Sequence, residues 1–129
     1  MINYKNDMKY FNYSVKTYLL KYSNFWGRSS RLEFLNALLF YFSLLILISL
    51  IEMIFSIEPK IYSALFQLFF SIPTFAIIIR RLHDVNLSGF WYLIVFTIIG
   101  IIPLIYYLFS EGDVGENDFG LDPLNKKFE

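Results

Sequence analysis

The stretch FLNALLFYFSLLILISLI, Phe34–Ile51, contains 18 consecutive residues without a charge. As an α-helix it would cover about 27 Å, close to the ~30 Å hydrocarbon core of a bilayer. Two further runs have the same character: Ile61–Ile79 has 19 uncharged residues and Phe90–Phe109 has 20. Because a backbone inside lipid must satisfy its own hydrogen bonds, the pattern predicts an all-α, multi-pass membrane protein with three transmembrane helices, over residues 34–57, 61–79 and 90–109.

The composition of the 129 residues agrees with a membrane location. Hydrophobic residues make up 57% and aromatic residues 21%, whereas charged residues make up only 17%. Such a chain has more apolar surface than the core of a small soluble domain buries. The length predicts a single domain. The sequence has no cysteine, which excludes disulfides, thiolate metal sites and cysteine catalysis.

The distribution of charge predicts the orientation. Residues 1–33 carry six Lys and Arg residues, and Arg80 and Arg81 follow the second apolar run. The positive-inside rule therefore places the N-terminus and the loop after Arg81 in the cytoplasm. Residues 110–129 form an acidic, glycine-rich tail with six acids and two lysines. Three spans would put this tail outside, away from the arginines, whereas a tail on the inner side would form a salt-bridged cap.

Residues 1–26 are interpreted as an amphipathic head in front of the first span. Apolar side chains recur there at helical spacing, while Lys16 and Lys21 lie off the apolar stripe, which consists of Phe11, Val15, Tyr18, Leu19 and Tyr22. This pattern predicts an interfacial helix on the cytoplasmic membrane surface. The alternative is a helix that packs against the rest of the protein.

Four residues inside the apolar runs predict local features. Pro73 and Pro103 are expected to kink their helices, and Gly100 is expected to permit a bend or a close helix contact. Gln67 is polar and lies in the middle of its run, so we expect it to face another helix.

Three motifs together carry a resemblance to a known family. They are FWGRSSRLEF at 25–34, RRLHD followed by SGFW within 80–91, and EGDVGENDFGLDP at 111–123. In order and spacing they resemble domain of unknown function 805, the YhaH-like bacterial inner-membrane proteins. The resemblance implies a small multi-pass plasma-membrane protein and supplies no activity or cofactor. The chain has Asn86-Leu87 where a Gly-Arg or similar pair is common, and Phe34-Leu35 where an aromatic pair is more usual.

The charged residues of the first two motifs predict a polar cluster at the cytoplasmic side. Guanidinium groups bind phosphate oxygens through paired hydrogen bonds, so the cluster suits anionic lipid headgroups. The alternative is a structural set of ion pairs to Glu33 or Asp84. Arg28 and Arg31 are expected on one helical face. The cluster consists of Arg28, Arg31, Arg80, Arg81, His83 and Asp84, and the residues that start and anchor the spans are Trp26, Gly27, Ser88, Gly89 and Trp91.

The sequence offers few residues for catalysis or for metal binding. His83 beside Asp84 would suit a proton acceptor or a pH sensor. A single histidine with no cysteine gives too few of the usual ligands for a zinc site. The tail offers oxygen ligands for calcium, but its spacing is not that of an EF-hand, and its glycines and Asn-Asp pair are typical of tight turns. We therefore predict no catalytic residue, no metal and no cofactor.

These observations favour a non-enzymatic protein of the bacterial inner membrane. Its polar cluster would bind anionic lipid headgroups or support assembly, either as a homo-oligomer or with other membrane proteins. No nucleic-acid partner is expected. Two alternatives stay open: a subunit of an oligomeric transporter or channel, and a membrane enzyme that acts on a lipid headgroup through Arg28, Arg81, His83 and Asp84. The expected topology has the N-terminus in the cytoplasm and the C-terminus in the periplasm.

Overall fold

The computed structural model describes residues 4–58 and 60–125, and this part of the chain is helical, as the sequence predicts. The predictions for residues 1–3 of the head, for Pro59 and for the lysines and the acid of residues 126–129 lie outside the described residues. The elements are α1 Tyr4–Leu20, α2 Arg31–Ile54, α3 Ile61–Asp84, a 3₁₀ helix Gly89–Phe96, α4 Ile101–Phe109 and a short 3₁₀ turn Pro123–Asn125.

Local hydrogen bonds shift α2 towards the N-terminus relative to the predicted span 34–57. Ser30 has extended backbone angles and its hydroxyl accepts a hydrogen bond from the backbone N–H of Glu33, so the helix begins at Arg31. This is half of a capping box, in which a serine precedes a glutamate by three residues. At the other end Ser56 adopts a left-handed φ of 52°, and the N–H of Ile57 donates to the carbonyl of Glu52. The helix therefore ends at Ile54.

Helices α2 and α3 are the two candidate membrane spans. Each has 24 residues, and their most apolar windows have mean hydropathies of 2.4 and 1.8. Only 11% and 28% of the residues in those windows are buried inside the protein. A core helix of a soluble protein would be mostly buried, whereas these helices turn their apolar side chains outward. They run antiparallel, and the buried carboxylate of Glu52 accepts a hydrogen bond from the N–H of Ser63 across the turn.

The predicted third span, residues 90–109, is wrong. The 3₁₀ helix covers about 16 Å and α4 about 14 Å, so neither crosses a ~30 Å core. The chain reverses between them, which brings the rings of Trp91 and Tyr107 to a centroid distance of 6.0 Å. Glycine at position 100 permits the reversal, because a Cβ there would collide with the carbonyl oxygen of Ile94. The bend expected at Gly100 is thus confirmed.

The two prolines occupy different places in their helices. Helix α3 continues through Pro73, and the kink expected there stays a prediction. Pro103 lies in the first turn of α4, where a backbone N–H has no helical partner, so its missing N–H costs nothing and it does not kink a longer helix.

Because the chain reverses, the tail lies on the same side as the start of the 3₁₀ helix, next to the C-terminal end of α3. The N–H of Asp113 donates to the carbonyl of Asp84 at 2.8 Å, at the C-terminal end of α3. The side chain of Arg28, just before α2, also reaches the tail. The prediction that the tail and the basic head lie on opposite sides is therefore wrong, since it depended on a third span. That the shared side is cytoplasmic stays a prediction.

Helix α1 is confirmed as a helix, and it packs along α2 and α3. The buried ring of Tyr18 stacks on Phe70, and its hydroxyl is 2.8 Å from Oγ1 of Thr74. Near its N-terminal end, the hydroxyl of Tyr10 is 2.7 Å from that of Ser30. Part of the predicted stripe thus contacts protein, whereas Leu19 is exposed. The location of α1 in the membrane interface stays a prediction.

The fold predicts which surface positions share a side of the membrane. The chain has no cysteine, so single cysteines can be placed at the exposed positions Ser23, Glu58 and Asp118. We expect Ser23→Cys and Asp118→Cys to react with an impermeant maleimide from one side and Glu58→Cys from the other. Labelling of oriented membrane vesicles checks this. If Asp118→Cys labelled with Glu58→Cys, three spans would be restored.

Candidate functional site

The carboxylate of Asp84 is the centre of the polar cluster. It is buried and lies at the C-terminal end of α3. Its Oδ1 accepts a hydrogen bond from Nε of Arg28 at 3.0 Å, and its Oδ2 accepts one from Nη1 of Arg81. A buried carboxylate is stable only when it is paired and hydrogen-bonded, and two guanidinium groups satisfy that requirement here.

Arg28 connects this carboxylate to the tail. Its Nη1 donates to the carbonyls of Gly115 and Gly120, and its Nη2 donates to the carbonyl of Asp113. The side chain is buried. Every nitrogen of this guanidinium group is therefore occupied by the protein itself, and none is presented to a lipid phosphate.

The two arginines at the end of α3 point to different neighbours. Nε of Arg81 donates to the carbonyl of Leu108 at 3.0 Å, and its Nη2 donates to the carbonyl of Ser110, so it caps the C-terminal end of α4. Arg80 is fully buried, with Nη1 3.7 Å from Oε1 of Glu33. Within residues 4–58 and 60–125, neither Nη atom of Arg80 has a hydrogen-bond acceptor.

The tail motif has a structural use at most of its positions. A Cβ on Gly112 would collide with the Asp84 carboxylate, and Gly115 and Gly120 have φ values of 85° and 123° that favour glycine. Nδ2 of Asn117 donates to the carbonyl of His83 at 2.9 Å. The backbone N–H groups of Leu124 and Gly115 donate to the Asp122 carboxylate and hold its pKa below the ordinary value. These residues thus make the turns that the composition of the tail favoured.

His83 and Asp84 do not form an acid–base pair. They are consecutive residues of α3, so their side chains diverge. Asp84 faces the arginines, whereas Nδ1 of His83 lies 3.1 Å from the carbonyl oxygen of Gly27. The imidazole ring stacks on Phe119 with a centroid distance of 4.1 Å and an interplanar angle of 3°.

The connection from α3 to the 3₁₀ helix is built from short-range hydrogen bonds. The N–H of Leu87 donates to the carbonyl of Leu82, and that of Asn86 to the carbonyl of His83, which is a Schellman motif. Asn86 has a φ of 55° and takes the place usual for glycine, because asparagine tolerates the left-handed region. Ser88 then caps the 3₁₀ helix by accepting from the N–H of Phe90. Ser88 was predicted to start a third span, and it starts the 3₁₀ helix instead.

Gly89 permits close packing of the 3₁₀ helix on α3. A Cβ at Gly89 would approach Cγ2 of Ile79 to 2.8 Å, nearer than real side chains come. Trp26, Gly27 and Trp91 lie around the same connection. Gly27 turns the chain with a φ of 82°, Trp26 is largely exposed, and Trp91 is partly exposed beside Tyr107.

Beside the polar cluster lies an open groove with aromatic walls, which we call the aromatic groove. It has a volume of about 450 Å³. The loop before α2, the second half of α3, the 3₁₀ helix and the tail each contribute a wall. Its principal lining residues are Phe25, Trp26, Phe75, His83, Phe90 and Phe119.

The structure thus separates the residues that the sequence grouped together. Arg28, Arg81 and Asp84 meet directly, Arg80 pairs with Glu33, and His83 faces the aromatic groove. Arg31 is exposed, and the shared helical face expected for Arg28 and Arg31 is wrong, because the helix begins only at Arg31. Its nearest cavity, about 490 Å³, is also lined by Glu111, Asp113 and Asp122.

Sequence reasoning missed the contribution of the tail. Asn117 and Phe119 complete the surroundings of His83, and the carbonyls of three tail residues bind Arg28. One available signal was the charge distribution, since a tail placed outside the cell would separate its acidic residues from the arginines on the cytoplasmic side. Backbone carbonyl acceptors leave no trace in the side-chain sequence, so these contacts had no signal of their own.

The fold and the cluster define a class: a small helical membrane protein, in which two long apolar helices carry a buried arginine–aspartate cluster at one end. Within that class the chain belongs to the family described as Protein of unknown function (DUF805), which matches residues 22–121 and so includes the first two motifs and the third as far as Leu121. This confirms the family resemblance.

The curated relatives place the family in a bacterial membrane. Over 106 residues the chain is 36% identical to "Inner membrane protein YhaI" of Escherichia coli (strain K12), which covers 81% of this chain and 90% of that protein. The protein of the same name from Escherichia coli O157:H7 matches to the same extent. No solved structure matches the chain.

Removing the charge of Asp84 should destabilise the whole cluster. In Asp84→Asn the guanidinium groups of Arg28 and Arg81 stay buried without a counter-charge, and breaking a buried pair in this way costs about 3–5 kcal/mol. The free energy of unfolding, measured by denaturant titration in detergent micelles, checks this. Asp118→Asn removes an exposed carboxylate and should change stability by less than ~0.5 kcal/mol. Equal effects of the two variants would contradict a central role for Asp84.

Proposed function

We propose that this chain is a non-enzymatic inner-membrane protein that binds a membrane lipid in the aromatic groove. The observation that supports this most directly is the groove itself, whose volume of about 450 Å³ falls in the range of small-molecule sites. Trp26 and Phe90, on its rim, are 82% and 81% exposed. Large aromatic rings are costly to leave in water, but they are favourable against lipid at the membrane interface.

The arginines of the polar cluster support this role only indirectly. Binding of an anionic headgroup by Arg28 or Arg81 would require the tail or Asp84 to leave, because their nitrogens already donate to protein oxygens. Arg31 is exposed but shares its cavity with the carboxylates of Asp84, Glu111, Asp113 and Asp122, which repel an anion. Anionic lipid contact is better assigned to the exposed lysines of α1, Lys9 and Lys16, as a non-specific attraction to the surface.

The two functional alternatives have less support. An acid–base mechanism needs partners in contact, and His83 turns away from Asp84 towards the carbonyl of Gly27. A conducting path needs polar groups that line a common route. In the described residues, the side chains of Gln67, Ser71 and Thr97 each donate to a carbonyl three or four residues earlier in the chain.

We place the end that carries the groove at the cytoplasmic face. The support is the excess of basic residues in the head, which by the positive-inside rule stays in the cytoplasm. Because α2 and α3 form a helical hairpin, both termini would then be cytoplasmic and the turn at residues 55–60 periplasmic.

Lipid occupancy should depend on the rim of the groove. In the double variant Trp26→Ala, Phe90→Ala we expect lipid affinity to fall about tenfold, because two rings lose apolar contact with the lipid. Native mass spectrometry of protein released from nanodiscs measures the bound fraction. Phe96→Ala is the matched control, since Phe96 lies on the same 3₁₀ helix and is also 81% exposed. If all variants retained lipid equally, the groove would not be the binding site.

Self-association is a second candidate role, and one observation favours it. Gln67 was expected to face another helix, but within this chain it is exposed on α3, and its amide donates only to the carbonyl of Ser63. A polar amide on the lipid-facing side of a membrane helix favours association with a second helix, because the alternative is an unsatisfied group in hydrocarbon.

The second candidate predicts a dimer that depends on Gln67. In Gln67→Leu we expect the dissociation constant to rise about threefold to tenfold, the range for one interhelical hydrogen bond in a membrane. Energy transfer between labelled copies in liposomes measures it. Ser49→Leu is the control, since Ser49 is an exposed polar residue of α2. A monomeric wild-type protein would rule this role out.

A further inference from the structure

We infer that His83 selects the headgroup of the bound lipid, and that the preferred lipid carries a primary ammonium group, as phosphatidylethanolamine does. This inference rests on the proposed lipid-binding function and adds the chemistry of recognition. It departs from the expectation of an anionic headgroup, because the groove and the arginines are separate parts of the site.

The hydrogen bond of Nδ1 defines the acceptor. The carbonyl oxygen of Gly27, 3.1 Å from Nδ1, only accepts, so Nδ1 carries the proton. In the neutral imidazole, Nε2 then has a lone pair. No described residue donates a hydrogen bond to Nε2, and His83 lines the aromatic groove. The groove therefore offers Nε2 of His83 as a hydrogen-bond acceptor on a mostly apolar wall that also includes Ser88 and Tyr92.

The surroundings of His83 favour the neutral ring. The residue is only 7% exposed, its ring stacks on Phe119, and its Nδ1 contacts the backbone carbonyl of Gly27. The only aspartate adjacent in sequence, Asp84, is engaged by Arg28 and Arg81. Burying an imidazolium without a carboxylate partner would be costly.

A ligand that satisfies Nε2 must donate a hydrogen bond. A primary ammonium and a hydroxyl group do so, whereas a quaternary ammonium has no N–H and a phosphodiester only accepts. The acceptor alone therefore excludes choline headgroups as good ligands and leaves ammonium and hydroxyl headgroups.

Charge favours the ammonium group over a hydroxyl group. Glu116 and Asp118 are exposed on either side of Asn117, in the tail segment that contacts His83 through Asn117 and Phe119, although only Phe119 of this segment lines the groove. Among the described residues neither forms a salt bridge. Trp26, exposed on the rim, offers an indole face that attracts a cation. Two free carboxylates, an aromatic face and a neutral acceptor together complement a primary ammonium group.

A headgroup series with identical acyl chains tests the inference. Wild-type protein in nanodiscs is presented with phosphatidylethanolamine, phosphatidylcholine and phosphatidylglycerol, and lipid retention is read by native mass spectrometry. We expect phosphatidylethanolamine to be retained about tenfold more strongly than phosphatidylcholine, the size of one hydrogen bond to a charged group. In His83→Phe, which keeps the stacking on Phe119, this ratio should fall to about one while lipid is still bound.

The charge contribution is tested in Glu116→Gln, Asp118→Asn, at two exposed positions where substitution leaves the fold intact. This variant should lower the preference for phosphatidylethanolamine about threefold, and it decides the inference if His83→Phe does not fold. Equal retention of the ethanolamine and choline lipids by the wild type would overturn the headgroup inference and leave the proposed function standing. Stronger retention of phosphatidylglycerol would overturn the ammonium assignment. Loss of all three lipids would overturn both.

Discussion

A carboxylate buried at the end of a membrane helix must be neutralised, and Asp84 imposes this constraint on the rest of the structure. It recruits Arg81 from its own helix and Arg28 from a loop 56 residues earlier in the chain. Each guanidinium group has more donors than one carboxylate accepts, so the remaining donors bind backbone carbonyls. Arg28 thereby fixes the tail and Arg81 fixes the end of α4. One buried charge thus positions the loop before α2, the end of α4 and the tail that follows α4.

The helical hairpin of Gly89–Phe96 and α4 is too short to cross a bilayer, yet its backbone satisfies the condition that lipid would impose. Irregular backbone at membrane depth is tolerated only where its polar groups are satisfied. At the reversal the N–H of Thr97 donates to the carbonyl of Ile94, and the N–H of Gly100 donates to both the carbonyl and the hydroxyl of Thr97. This explains a threonine in the middle of an apolar run. The tip itself, Ile98 and Ile99, is exposed and apolar, as a lipid-facing tip requires.

The sequence predicts what depends on length and on short spacing. Helices α2 and α3 follow from uncharged runs, and the cap at Ser88 follows from local turn chemistry. The third run is equally long and uncharged, but the prediction that it spans the membrane is wrong, because length does not distinguish a span from a hairpin that reverses at Gly100. Only part of the predicted cluster meets: Arg28, Arg81 and Asp84 are in contact, and their further partners were not predictable, since Arg28 binds carbonyls 85 to 92 residues away. Side-chain identity carries no information about which backbone carbonyl will lie opposite.

The tail links the polar cluster to the aromatic groove. Its carbonyls occupy Arg28, and a few residues further on Phe119 forms the wall on which His83 stacks. The same segment therefore closes one potential ligand site and completes another. With the tail in place, each guanidinium nitrogen of Arg28 donates to a protein oxygen, and Phe119 lines the groove. With the tail displaced, Arg28 would present its donors and the groove would lose Phe119. An anionic headgroup at Arg28 and the proposed lipid beside His83 would therefore compete, because the tail segment that occupies Arg28 also forms the wall on which His83 stacks.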